Sequence, residues 1–540
     1  MNPRRPALLT CALALATATA CSTVPPGGDQ VTGTAADLAT TTAPASHGVD
    51  RITWNLPYEP QTLDPIRSFN YAENTALANM CESLLRLTPD LKIRPGLAEK
   101  AENPTPTRWV YTLRKDVRFW DGHPMTAADV AASLNRHLDP AQGTWWSDYF
   151  QTVASIRATG PYRVTVDLKQ PDVLFNQAMA TAAGAVVEKS FLRTAGQSLG
   201  SPTGGLMCTG PFRFAGWKPG DFLRLTRNDT YWDRTLRATS RSLVFRFIAD
   251  ETTAVNALRS GEVDGQYFYL PPAGLSQLRA SRTGSVTLGR SLTFWTLLGA
   301  ATSGPYADPR VREALAAALD RPGIARVIFQ GAAAPESTLA NADYWGYSPD
   351  VFRSAHDALP GARPDPARAR RLLHDAGPPS HALTIGIQGS SAVHEQTASI
   401  IKAAGEDLGL RIRIKVIPVE QYGNLYSDPK ARQGIDAFLS TWYGNMPDPL
   451  DVYRVFTKGG RSNFDDYAAV DGPVRQAQAA YAPRERAALV GAIQATVSRD
   501  APWTPIASLP VILYMNKRIT GAVASFSYLY YPWAAGIGAP

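Results

Sequence analysis

The stretch RWVYTLRKDVRFWDGHPMTAADVAASLNR, residues 108–136, changes its hydrophobic rhythm part-way along. At its start Val110, Thr112 and Arg114 alternate with Trp109, Tyr111 and Leu113, the period of two that a strand requires. Asp121, Gly122 and Pro124 then supply turn residues. After them Thr126 stands as a helix N-cap, with Asp129 three residues on as the partner in a capping box. The reading is strand, turn, helix, with Trp109 and Trp120 as packing residues rather than ligand contacts.

The same mixture continues outward. DPRVREALAAALDRPGIARVIF (308–329) reads as a helix, a break at Pro322 and a second helix. HALTIGIQG (381–389) is a strand and HEQTASIIKAAGEDLGL (394–410) a helix ending near Gly409. RIRIKVIPV (411–419) is a strand with Ile412, Ile414 and Val416 on one face, and GIDAFLSTWYG (434–444) is a buried strand. This order predicts an α/β lobe over about residues 290–505, and no solenoid-like repeat occurs.

A chain of 540 residues is too long for one core, so two or more lobes are expected. The charged fraction is 19% and the net charge +7, but Lys and Arg are scattered, which argues against nucleic-acid binding. MNPRRPALLTCALALATATAC (1–21) has arginines, an apolar run too short for a membrane span, and small residues before Cys21. It reads as an export signal; lipid attachment at Cys21 is expected, with ordinary cleavage nearby as the alternative. Residues 22–50 are rich in Thr, Ala, Pro and Gly and read as a disordered tether, with order beginning near Arg51.

With Cys11 in the signal and Cys21 assigned to lipid, Cys81 and Cys208 remain, a disulfide candidate in an oxidising compartment or two separate thiols. The histidines, at 47, 123, 137, 356, 374, 381 and 394, form no HxxH or HExxH pair, so no metal centre and no cofactor are expected. There is no GxSxG elbow and no phosphate-cradling GxxxxGK[ST]. Ser399 and Lys402 fit an SxxK hydrolase motif, but its SDN and KTG partners are missing. An exported chain without a catalytic set reads as a binding protein, not an enzyme.

Residues 111–136 resemble the signature of the family 5 extracellular solute-binding proteins, the peptide, nickel and related receptors of ABC importers. CESLLRLTPD (81–90), TGPFRFAGWKPGDFLRLTRNDTYW (209–232), TAVNALRSGEVDG (253–265), VREALAAALDR (311–321) and SRDAPWTPI (498–506) agree in order. The resemblance implies a mixed α/β (α+β) fold, a bilobed clamp of the type II periplasmic-binding-protein class with an extra N-terminal subdomain. Lobe I would hold residues 51–290 and 506–540, lobe II residues 291–505, with ligand between them.

It also implies a site. STWYGNMPDPLDVY (440–453) matches the block whose strand end lines the cleft, with Trp442 at the family's Trp and Asn445 where peptide receptors carry an Asp for the α-ammonium. Trp442, Tyr443, Gly444, Asn445 and Met446 are expected at the ligand, with Asp448 either a substitute carboxylate or a turn former. Phe294 and Trp295, past the first hinge crossing, and Asn70 and Tyr71, in an early loop, complete the expected set. The expected protein is a monomeric, lipid-anchored, extracytoplasmic receptor for peptides or peptide-like solutes that serves a membrane permease. Rival readings are a receptor for an oligosaccharide, opine-like or metal-chelate ligand, a ligand sensor or chaperone without transport, and a hydrolase using Ser399 and Lys402.

Overall fold

Two long strands set the frame. In a computed structural model that describes residues 38–379 and 381–540, Gly284–Gly299 and Trp503–Asn516 run antiparallel through the middle of an eleven-stranded sheet. Toward one edge, residues 512–515 pair with Gly265–Phe268, and the sheet continues through Arg51–Leu56, Ser242–Phe247 and Phe222–Arg227 to Phe212–Lys218. Toward the other, residues 293–299 pair with Ala437–Tyr443, followed by Leu383–Gln388 and Ile412–Ile417. Between these two halves the register slips between Gly289 and Thr293, a bulge that bends the strand. A Cβ on Gly289 would stand 1.3 Å from the Ala524 carbonyl oxygen, so the bend closes only on glycine.

The second half contains the parallel unit Leu383–Gln388, helix Ala392–Asp407, Ile412–Ile417. Its last strand lies on the edge, where exposed Arg413 and Lys415 discourage further pairing. Alternation fails at its end, since Ile417 is buried and Val416 is 61% exposed. Pro322 does not break a helix: one ends at Ala318, and Pro322 sits in the first turn of Arg321–Val327, capped by Asp320.

The opening stretch forms one strand, Arg108–Leu113, of a separate four-stranded antiparallel sheet with Ala98–Thr105, Arg163–Leu168 and Val153–Gly160. Helix Ala127–Asn135 follows, and one Asp129 oxygen accepts from the Thr126 N–H at 2.9 Å and its hydroxyl at 2.7 Å. Trp120 is buried and Trp109 partly so. The largest apolar cluster extends from Trp54, Tyr111 and Trp146 to Tyr453, Val490 and Trp503. A second forms around Trp295, Ile385, Leu439 and Ile506. The described residues fall in one compact unit.

The expected start of order near Arg51 needs correction. The chain is already paired at Ala39, whose N–H donates to Leu288 O at 2.9 Å; Thr42 N–H donates to Ala522 O at 2.9 Å, and Ala539 N–H to His47 O at 2.7 Å. These small residues bury little apolar area, and main-chain hydrogen bonds hold them instead. The expected export signal 1–21 with Cys21, and the expected tether as far as residue 37, lie outside the described residues.

Cys81 and Cys208 form a disulfide, with Cα atoms 5.0 Å apart and a sequence separation of 127. It ties the segment after helix Tyr71–Leu77 to the hairpin that starts at Phe212. Closing so long a loop removes entropy from the unfolded chain, about 4–5 kcal/mol in the chain-entropy account. Reduction should therefore move the denaturant midpoint to markedly lower concentration. Equal midpoints with and without reductant would show that the bond contributes no stability.

Candidate functional site

Strand Ala437–Tyr443 is buried through Ser440 and half-buried from Thr441 onward, so its end emerges from the core. There it meets the loop before helix Tyr71–Leu77 and the aromatic segment around Trp145, enclosing a cavity of about 140 Å³. Trp442 packs on Trp503 at 4.8 Å between ring centroids. Tyr443 lies edge-on to Tyr71 at 5.3 Å and donates its hydroxyl to Phe69 O. Opposite, Phe69 stacks on Trp145 at 3.9 Å, and the Arg461 guanidinium covers the other side of Trp145 at 4.5 Å.

Asn445 sits at the convergence of three segments. Its amide nitrogen donates to Tyr149 Oη at 2.9 Å, and its amide oxygen accepts from Tyr530 Oη at 2.6 Å. Its backbone N–H donates to Asp451 at 2.6 Å. Asp451 is buried and also accepts from Tyr149 Oη at 2.6 Å, while Arg454 pairs with it at 3.1 Å and lies 3.6 Å above the Tyr149 ring. A carboxylate so enclosed survives because a cation and several donors replace its water. Arg461, by contrast, has no carboxylate partner among the described residues and donates to Thr144 O at 3.1 Å.

The lining unites Asn70, Tyr71, Trp442, Tyr443 and Asn445 from the expected set. Four others require correction. Phe294 and Trp295 are buried strand residues, Trp295 packing against Phe329 and His394. Met446 is 1% exposed. Asp448 is fully buried: it caps helix Pro449–Tyr453 and bonds Gln177 at 2.9 Å and Tyr347 at 3.0 Å, so its oxygens are already used. Gly444 lies behind the lining. A Cβ there would meet the Tyr344 ring at 2.5 Å, so its missing side chain makes room for Tyr344, whose hydroxyl accepts the Gly444 N–H at 2.7 Å.

Trp145, Asp148, Tyr149, Asp451, Arg454 and Arg461 are among the lining residues that sequence reasoning missed. The aromatic density of TWWSDYF (144–150) was a usable signal; Arg461 carries none. Ser399 and Lys402 lie on the helix Ala392–Asp407, the hydroxyl bonded to Glu395 O at 2.8 Å and the ammonium 3.8 Å from Glu406. A larger groove of about 520 Å³, lined by Arg51, Arg224 and Arg246, lies on strands Arg51–Leu56, Phe222–Arg227 and Ser242–Phe247. Those strands are neighbours in one sheet, so the groove lacks the facing walls that enclose a ligand.

The profile of the bacterial extracellular solute-binding proteins, family 5, matches residues 92–464. The chain belongs to this family. The glutathione-binding protein GsiB of Escherichia coli K12 is 25% identical over 477 residues, covering 85% of this chain and 89% of that one. In structure, this solute-binding protein is similar to the oligopeptide-binding protein AppA of Bacillus subtilis in complex with a nonapeptide. The TM-score is 0.78 at 18% identity, over 92% of this chain and 100% of that one. It is equally similar to AgaA of A. tumefaciens R10 in complex with agropinic acid. There the TM-score is 0.78 at 21% identity, over 91% and 99% of the two chains. The fold is thus the mixed α/β, bilobed fold of the periplasmic binding proteins.

Helix Tyr71–Leu77 carries one further group, Glu73. Burial lifts its pKa to about 7, partly offset by the Gln61 N–H donated to Oε1 at 3.0 Å. A carboxyl with a raised folded pKa binds more protons folded than unfolded, so its contribution is fully present below about pH 4.5 and is lost as the pH rises through 7. Glu73→Gln should raise stability at pH 8, by on the order of 3 kcal/mol, and change it little at pH 4. Denaturant titrations of both proteins at the two pH values test this, and a difference independent of pH would contradict it.

Proposed function

We propose that this family 5 protein is the ligand-capturing component of an ABC importer, held outside the membrane by a lipid on Cys21. It takes peptides or peptide-like solutes into the aromatic cavity and delivers them to a permease in the membrane. Residues 51–290 with 506–540 form one lobe of the clamp and residues 291–505 the other. The likeness to the glutathione-binding GsiB and to AppA in complex with a nonapeptide supports the ligand class. No helix among the described residues is long and apolar enough to cross a membrane, consistent with attachment by lipid.

The observation that carries the reading is the state of the cavity walls. At about 140 Å³ the space is smaller than the roughly 300–1,000 Å³ of ordinary ligand pockets. The Tyr443–Phe69 and Asn445–Tyr149 hydrogen bonds join opposite walls directly. Those bonds must break to admit a peptide, which is what clamp opening accomplishes.

Charge narrows the ligand. The buried Asp451 already has Arg454 and Asn445 is neutral, so among the described residues the one lining carboxylate without an ion-pair partner is Asp148, which accepts from the Gln151 side chain at 3.1 Å. Arg461 offers a cation to an anionic group. A second reading, an opine-like acid, is favoured by that same Arg461 and by the likeness to the agropinic acid complex.

Asn445→Asp tests the site. It puts a carboxylate beside Asp451 and removes the donor to Tyr149. The variant should prefer a tetrapeptide with a free N-terminus over its N-acetylated form by about 1–3 kcal/mol more than the parent does. Calorimetry on both proteins with both peptides measures this, and an unchanged preference would remove Asn445 from the ligand site.

A further inference from the structure

Away from the cleft, three side chains from two segments converge. Asp121 and His123 belong to the Asp-Gly-His-Pro turn, and Glu188 precedes helix Lys189–Ala195. His123 Nδ1 lies 2.9 Å from an Asp121 carboxylate oxygen and 3.0 Å from Glu188 Oε1. One nitrogen and two oxygens, one from each residue, all lie within 4.8 Å of one another. Donors around a tetrahedral ion with bonds of about 2.0–2.2 Å stand roughly 3.3–3.6 Å apart, so small side-chain shifts suffice to surround one.

A second observation concerns Glu188 alone. Its side chain is 8% exposed, and the only hydrogen bond to its carboxylate among the described residues comes from His123 Nδ1. A carboxylate so withdrawn from water calls for a cation or several donors. A neutral imidazole offers one N–H here, and two carboxylates face it. Asp451, also buried, shows the contrast, with an arginine and two donors of its own.

The positions are also held by their backbone. Asp121 Oδ1 accepts the His123 N–H at 3.0 Å, and Phe119 N–H donates to His123 O at 2.9 Å. Glu188 donates its N–H to Met207 O at 3.2 Å and accepts from Leu192 N–H at 2.9 Å. The residues join across 65 positions of sequence, which is why no ligand spacing is visible in the chain.

We propose that Asp121, His123 and Glu188 form a binding site for a divalent transition-metal ion, Zn2+ in the first instance. The ion takes the place of the Nδ1 proton and is held by one imidazole nitrogen and two carboxylate oxygens. The nitrogen donor favours Zn2+ over Mg2+ or Ca2+, which prefer all-oxygen shells. Three protein ligands leave a position for water or for a donor from another molecule.

Full-length protein stripped of metal is dialysed against ZnCl2 with excess Mg2+ at about pH 8, because the hydrogen bond to Glu188 and the charge of Asp121 raise the His123 pKa above its ordinary value. Bound zinc per chain is then measured. The parent should hold one zinc more than His123→Ala, and Glu188→Gln should weaken that site at least about tenfold. His123 is 70% exposed, so His123→Ala should remain folded, which a cooperative denaturant transition verifies, with a midpoint lowered by the loss of Glu188's hydrogen bond. Equal zinc in parent and His123→Ala overturns the site, as does a parent that binds none. Full binding by Glu188→Gln overturns the three-ligand assignment.

Discussion

Everything in the cleft depends on one antiparallel pairing, that of Gly284–Gly299 with Trp503–Asn516. These two strands alone carry the sheet from Gly265–Phe268 on one side to Ala437–Tyr443 on the other. The register slip between Gly289 and Thr293 falls between those two sets of partners. A second register shift lies between Trp295 and Thr296, so the ladder is interrupted at two places and regular elsewhere. Gly289, pressed against the Ala524 carbonyl, fixes where the first interruption occurs. The end of strand Ala437–Tyr443 is thereby held at a set place relative to Asn70 and Tyr71.

The walls so positioned are aromatic, and their charges are mostly spent within the protein. Asp451 is neutralised by Arg454 and by hydroxyl and amide donors. Asp448 is committed to a helix cap and to Gln177 and Tyr347. What remains for a solute is ring surface, the Asn445 amide, the Asp148 carboxylate and the Arg461 guanidinium. A cavity of this kind recognises shape and stacking first and charge second, which suits peptide-like molecules of varied side chain.

Much of this was legible in the chain. The change of period at residues 108–136, the Thr126–Asp129 cap and the strand–helix–strand unit over 383–417 follow from local rules, and the structure has them. Trp442 and Tyr443 were found because a resemblance fixed their register. The failures share one cause: burial is decided by packing across long sequence distances. Phe294 and Trp295 are aromatic like Trp442, yet they face a core built by Phe329 and His394. Residues 38–50 look structureless by composition, but they pair with residues near 288, 522 and 539, which no local reading brings together. Arg461 reaches Trp145 across the fold and leaves no mark in the sequence around either.

The most direct test is a crystal structure of the protein purified from its native host with its solute bound. The account predicts that the ligand lies between Trp442 and Tyr443 on one side and Asn70 and Tyr71 on the other, with the Tyr443–Phe69 contact opened and an anionic group at Arg461. A solute held instead in the groove of Arg51, Arg224 and Arg246, with the aromatic cavity unchanged, would contradict it.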